Sequence, residues 1–84
     1  MDEIKPYNIA TDIIGDRYVS TAMHPTFISA YGRQVETYET FIWEWNGVSR
    51  GVWLRAIYHG SEPQARKVHR YITANLRKKA EGAH

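Results

Sequence analysis

Two stripes of alternating apolar residues meet at Asn46-Gly47, and that junction constrains the chain more than any other feature. Before it, Glu39, Phe41, Trp43 and Trp45 fall on one face of a strand, and Tyr38, Thr40, Ile42 and Glu44 on the other. After it, Val52, Leu54, Ala56 and Tyr58 share a face, and Trp53, Arg55, Ile57 and His59 share the opposite one. Strand side chains alternate with a period of two, and Asn-Gly tolerates the positive φ of a tight turn, so the segment is expected to be a β-hairpin. Gly51 leaves room for a four-residue loop, Asn46 to Ser49, or for a bulge. The four-residue loop sets Trp43 opposite Val52 and Phe41 opposite Leu54. Phe41, Trp43 and Trp45 are therefore expected in the core. Tyr38, Thr40, Ile42, Glu44, Trp53, Arg55, Ile57 and His59 are left on the other face.

A helix is expected directly after the hairpin. Ser61 suits an N-cap, Gln64 three residues later completes a capping box, and Pro63 occupies the first turn, where a missing N–H costs nothing. Ala65, Val68, Ile72 and Leu76 recur at helical spacing as the stripe that should lie on the sheet, with His69 at its border. Arg66, Arg70, Arg77, Lys78 and Lys79 take the outer side, three of them at the C-terminal end that favours cations. Earlier in the chain, "NIATDII" reads as a strand, Gly15-Asp16 as a turn, and "RYVSTAMH" as a second strand ending at Pro25. Residues 25–34 read as a loop with apolar anchors. The fold class is α+β: an antiparallel sheet of three to four strands with one C-terminal helix packed on one face. Residues 1–84 make a single domain, with 1–8 and 81–84 flexible. The face away from the helix is then covered by the 25–34 loop or by a partner, whether a second copy or another molecule.

Eighty-four residues without cysteine have neither disulfides nor thiolate zinc sites to staple a small core, which fits a reducing cytosol. The N-terminus "MDEIKPYN" lacks the basic-then-apolar order of a secretory signal. A cytoplasmic protein of the host cell, without membrane contact, is expected. The net charge of +2 is uneven: residues 1–60 hold five basic against seven acidic side chains, and residues 61–84 hold six against two.

Catalytic and metal motifs are weak. His24, His59 and His69, with Glu39 or Asp16, are the candidate zinc donors, but no paired-histidine spacing exists, and a histidine bordering an apolar stripe more often serves as hydrogen-bonded structure. Ser20 and Thr21 sit in a strand, where their hydroxyls suit cross-strand hydrogen bonds better than nucleophilic attack. No phosphate-cradling glycine loop is present. The expectation is a non-enzyme without cofactor or metal. A small-ligand or histidine-dependent site would lie between the helix and the strand ends at His24 and His59. The basic helix offers Arg66, Lys67, Arg70, Arg77, Lys78 and Lys79 to nucleic acid, with Tyr71 and Trp53 as stacking partners.

"VST" at Val19 to Thr21, then His24, "YETF" at Tyr38 to Phe41, and Tyr58, Ser61, Ala65 and His69 carry a further pattern. In this order the chain resembles small proteins of phages and prophages that run V-S-T, a histidine, an F-E-T-M-like strand and R-Y-x-T-x-x-E-A-x-x-G-H. Gln64 stands where that pattern is commonly acidic, and Val68 replaces the glycine before the histidine. The resemblance implies a phage accessory protein, similar in role to inhibitors of bacterial defence such as anti-CRISPR proteins, which occupy a surface on a host protein or ribonucleoprotein complex. The contact residues expected for such a partner are Trp53, Arg55 and Ile57 on the sheet, with Arg66 and Arg70 on the helix. A homodimer suits so small a domain.

Overall fold

The computed structural model of the chain describes residues 4–28 and 32–82. Four strands precede one helix: β1 (Tyr7–Ile14), β2 (Arg17–Ile28), β3 (Arg33–Trp45), β4 (Arg50–His59) and α1 (Glu62–Gly82). The strands form an antiparallel meander in the order β1-β2-β3-β4, so the fold is α+β, with the helix lying on one face. Gly15 and Gly47 adopt positive φ, 59° and 97°, at the β1–β2 and β3–β4 turns. In the second turn Asn46 Oδ1 accepts the N–H groups of Val48 and Ser49, each at 2.8 Å, which closes the expected four-residue loop. Tyr7 and Asn8 pair with Met23 and Ala22, and helix α1 continues through Glu81 to Gly82; of the two ends expected to be flexible, 1–3 and 83–84 lie outside the described residues.

Strand β2 does not stop at Pro25. It runs on to Ile28 and pairs with Arg33 to Glu44, so the expected loop over 25–34 is mostly the arm of a long hairpin, with 29–31 outside the described residues. The proline is tolerated because β1 pairs no further than Met23, and beyond that point β2 is itself an edge. The arm lengthens the molecule to 53 × 25 × 19 Å.

The β3–β4 register departs from the expected one. Trp45 faces Arg50 across the turn, but two irregularities follow, so that Trp43 pairs with Trp53, Ile42 with Arg55 and Phe41 with Ala56. Two extra residues are thereby taken up on β4, near Gly51 and at Leu54. A bulge re-aims side chains, and here it moves Trp53 onto the face of Trp43, away from Arg55 and Ile57.

The helix packs on the opposite face from the one expected. Its buried ridge is Ala65, His69 and Thr73, with Val68, Ile72 and Leu76 half-buried beside it. It lies on Asp12 and Ile14 of β1, Val19, Thr21 and Met23 of β2, and Thr40 of β3, the face that also carries Ile42, Arg55, Ile57 and His59. The sheet centre on that side is built of small residues, and Ala65 and Thr73 let the helix approach it closely. Phe41, Trp43 and Trp45 are therefore not under the helix. The Ser61 cap holds as expected: Ser61 Oγ accepts the Gln64 N–H at 3.3 Å. Because Ala65 has no exposed surface, Ala65→Leu should overpack the helix–sheet contact and lower stability by about 1–3 kcal/mol, read as a reduced denaturation midpoint in urea.

Candidate functional site

Beneath the helix runs a continuous chain of hydrogen bonds with one member from each element. His69 Nε2 donates to Asp12 Oδ2 at 2.7 Å, and Arg77 Nη2 donates to the other carboxylate oxygen at 3.3 Å. His69 Nδ1 lies 2.7 Å from the Thr21 hydroxyl, which lies 2.6 Å from the Thr40 hydroxyl, and His59 Nε2 is 2.8 Å beyond. The Asp12 carboxylate can only accept, so with one proton on each ring the order follows: His59 Nε2–H donates to Thr40, Thr40 to Thr21, Thr21 to His69 Nδ1. Each polar atom in the run is then satisfied, which is what permits this burial. Thr21 and Thr40 have 0 % exposure and His69 has 3 %.

The arrangement contains an Asp-His-Thr sequence of contacts like that of a hydrolase triad. It differs in one decisive respect: the Thr21 hydroxyl is sealed from solvent. His59 and His69 are thus brought into one network through the two threonines. His24 lies on the other face of the sheet, edge-on to Phe41, with its buried Nε2 unpaired among the described residues. No group of three metal-ligating side chains occurs among the described residues. A shallow recess of about 400 Å³ opens at the far end of the sheet, lined by Asp16, Glu44, Trp45, Asn46, Gly51 and Val52.

The helix-free face carries a ladder of rings. His24, Phe41, Trp43, Tyr18 and Trp45 follow one another with centroid separations of 5.3–6.0 Å, distances at which aromatic pairs attract. The Arg50 guanidinium lies over Trp43 at 4.7 Å and Tyr18 at 5.4 Å from the ring centroids. Trp53, 55 % exposed, stands opposite Trp43 on the same face.

The expected partner-contact residues are accordingly divided. Trp53 belongs to this aromatic face, Arg55 and Ile57 point to the helix side of the sheet, and Arg66 and Arg70 are exposed on the helix. The basic helix and Trp53 lie on opposite sides of the molecule and cannot grip one flat ligand together. Arg66, Lys67, Arg70, Arg77, Lys78 and Lys79 are all exposed; Arg66 pairs with Glu62 at 3.2 Å and Arg77 with Asp12. Tyr71 stands among them, 69 % exposed. At the helix start the Tyr7 hydroxyl donates to Glu62, and this bond, with Arg66, holds the Glu62 carboxyl below its usual range.

Among the described residues no helix is long and apolar enough to cross a membrane. The chain is a four-stranded antiparallel meander with a single covering helix. Compared with known proteins, it matches no family model, no curated protein and no solved structure.

Thr21→Val should leave His69 Nδ1 and the Thr40 hydroxyl without their partner and cost about 1–3 kcal/mol at constant volume, seen in chemical denaturation. Burial lowers the His59 pKa below its ordinary value of 6.5, so the unfolded chain binds the proton more readily than the folded one. This contribution is complete above pH 6.5 and lost as pH falls through the lowered value. The melting temperature should drop on acidification from pH 7.5 to 5.5, and His59→Gln should flatten that dependence.

Proposed function

We propose that this is a non-enzymatic binding protein that acts by covering a surface on a target complex, with the outer side of α1 as the contact. The observation that carries the reading is the row of exposed cations Lys67, Arg70 and Lys78, with Tyr71 between them, for which no anionic partner occurs among the described residues. An exposed aromatic flanked by arginine and lysine is a common kind of contact anchor. The sealed Thr21 and Thr40 hydroxyls support a binding rather than a catalytic role. The resemblance to phage proteins supports a bacterial defence complex as the target, such as a CRISPR effector, whose nucleic-acid-binding surface offers sites for occlusion.

A second reading rests on the same cations. Arg66, Lys67, Arg70, Arg77, Lys78 and Lys79 along one helix would follow a phosphate backbone, and binding would then weaken steeply with salt.

The test is phage plaquing on hosts that each carry one active CRISPR effector. Expression of the protein should raise plaquing efficiency at least tenfold in one of them, and Lys67→Glu/Arg70→Glu should abolish the rise while circular dichroism stays unchanged. No rise in any host, or a rise untouched by the folded double variant, overturns the reading. Tight, salt-sensitive binding to mixed-sequence DNA or RNA in the absence of host protein would favour the second.

A further inference from the structure

Among the described residues no element covers the rings of the helix-free face, and Trp53 there is 55 % exposed. Among the described residues only Ile14, Val19, Met23 and Ala65 form the buried apolar core. The radius of gyration is 14.9 Å, against about 12 Å for a compact chain of this length. The accessible surface is 6079 Å², whereas a monomer of 9.8 kDa ordinarily exposes about 5,200 Å².

Charge on this face identifies the partner. Glu39 is 8 % exposed and finds no cation among the described residues. Arg50, laid over Trp43, has no carboxylate partner among the described residues. The two charges are separated by four residues of β3, Glu39 to Trp43, which is about 13 Å along the strand. A two-fold axis between two such faces, running across the strands at the level of Phe41, reverses strand direction while keeping strand order. It sets Arg50 of one copy above Glu39 of the other, twice.

We propose that a second copy of this chain covers the helix-free face. The two sheets pack face to face through Tyr18, Phe41, Trp43, Trp45 and Trp53, and two Arg50–Glu39 pairs fix the register. An interface of this kind must be complementary to itself, and this face has both halves of the ion pair. Sheets packed in this way lie about 10 Å apart, with aligned strands. The basic helices then point outward from the two sides of the dimer, so this inference is independent of the target contact proposed for α1.

Analytical ultracentrifugation over a concentration series should give twice the 9.8 kDa chain mass. Arg50→Glu should weaken association at least tenfold, and Arg50→Glu/Glu39→Arg should restore it. Since Glu39 is buried, a gentler variant supplies an independent reading. The chain has no cysteine, and Ser20, paired with Phe41, sits on the axis level. Ser20→Cys should be joined to its counterpart by a short bis-maleimide, whereas Lys67→Cys on the outer helix should not. A monomer at high micromolar concentration, or a dimer in which only the helix position cross-links, overturns the proposal. So does a dimer indifferent to a folded Arg50→Glu.

Discussion

His69 is the point on which the rest of the molecule depends. Its ring is buried between the helix and the sheet, and both nitrogens are used: one toward Asp12 of β1, the other toward Thr21 of β2 and, through it, Thr40 of β3 and His59 of β4. A buried imidazole without partners would cost more than most single contacts return. With them, it ties α1 to all four strands in one register. The helix cannot slide by a turn or settle on the other face of the sheet without leaving several polar atoms buried and unsatisfied. In this fold a polar chain, rather than the largest apolar side chains, determines where the helix goes.

That choice has a structural consequence for the aromatics. Chains of small hydroxyl side chains at the centre of the covered face let the helix come close, but they leave little room for rings. Phe41, Trp43, Trp45 and Tyr18 therefore collect on the opposite face, where they partly shield one another by stacking and are roofed by Arg50. Gathering them around the β3–β4 turn concentrates apolar surface without giving it a core to enter. The bulges of β4 add Trp53 to the same side. Polar specificity beneath the helix and apolar exposure on the far face are two results of one packing decision.

The local elements were legible in the sequence, and the decision between faces was not. Asn46-Gly47 and its four-residue loop, the Ser61 cap, the helix and the α+β class follow from turn chemistry and short-range periodicity. Alternation in β3 offers two faces of comparable standing, and apolar weight alone favours the wrong one. What decides is long-range: Thr21, Thr40 and His69 lie far apart in the chain, and each looks ordinary alone. Their common feature is visible only in retrospect, as polar residues recurring at inward positions on three successive elements. The β4 register was hidden for a related reason, since a bulge changes which face a side chain joins while leaving the sequence pattern intact. Pro25 misled because a proline ends a strand only where its missing N–H is needed, and the length of β1 settles that.

Of the twelve positions behind the expected likeness to phage proteins, five, Val19, Thr21, Thr40, Ala65 and His69, are buried between helix and sheet. Those positions describe how the fold is held together. The surfaces that would meet other molecules are built from different residues, Lys67, Arg70, Tyr71 and Lys78 on the helix and the rings and Arg50 on the sheet, and these are free to vary without disturbing the hydrogen-bond chain. A scaffold organised in this way separates its folding determinant from its contact surfaces. Such separation would suit the binding role proposed above, because a change of target would need substitutions only where no buried polar atom depends on them.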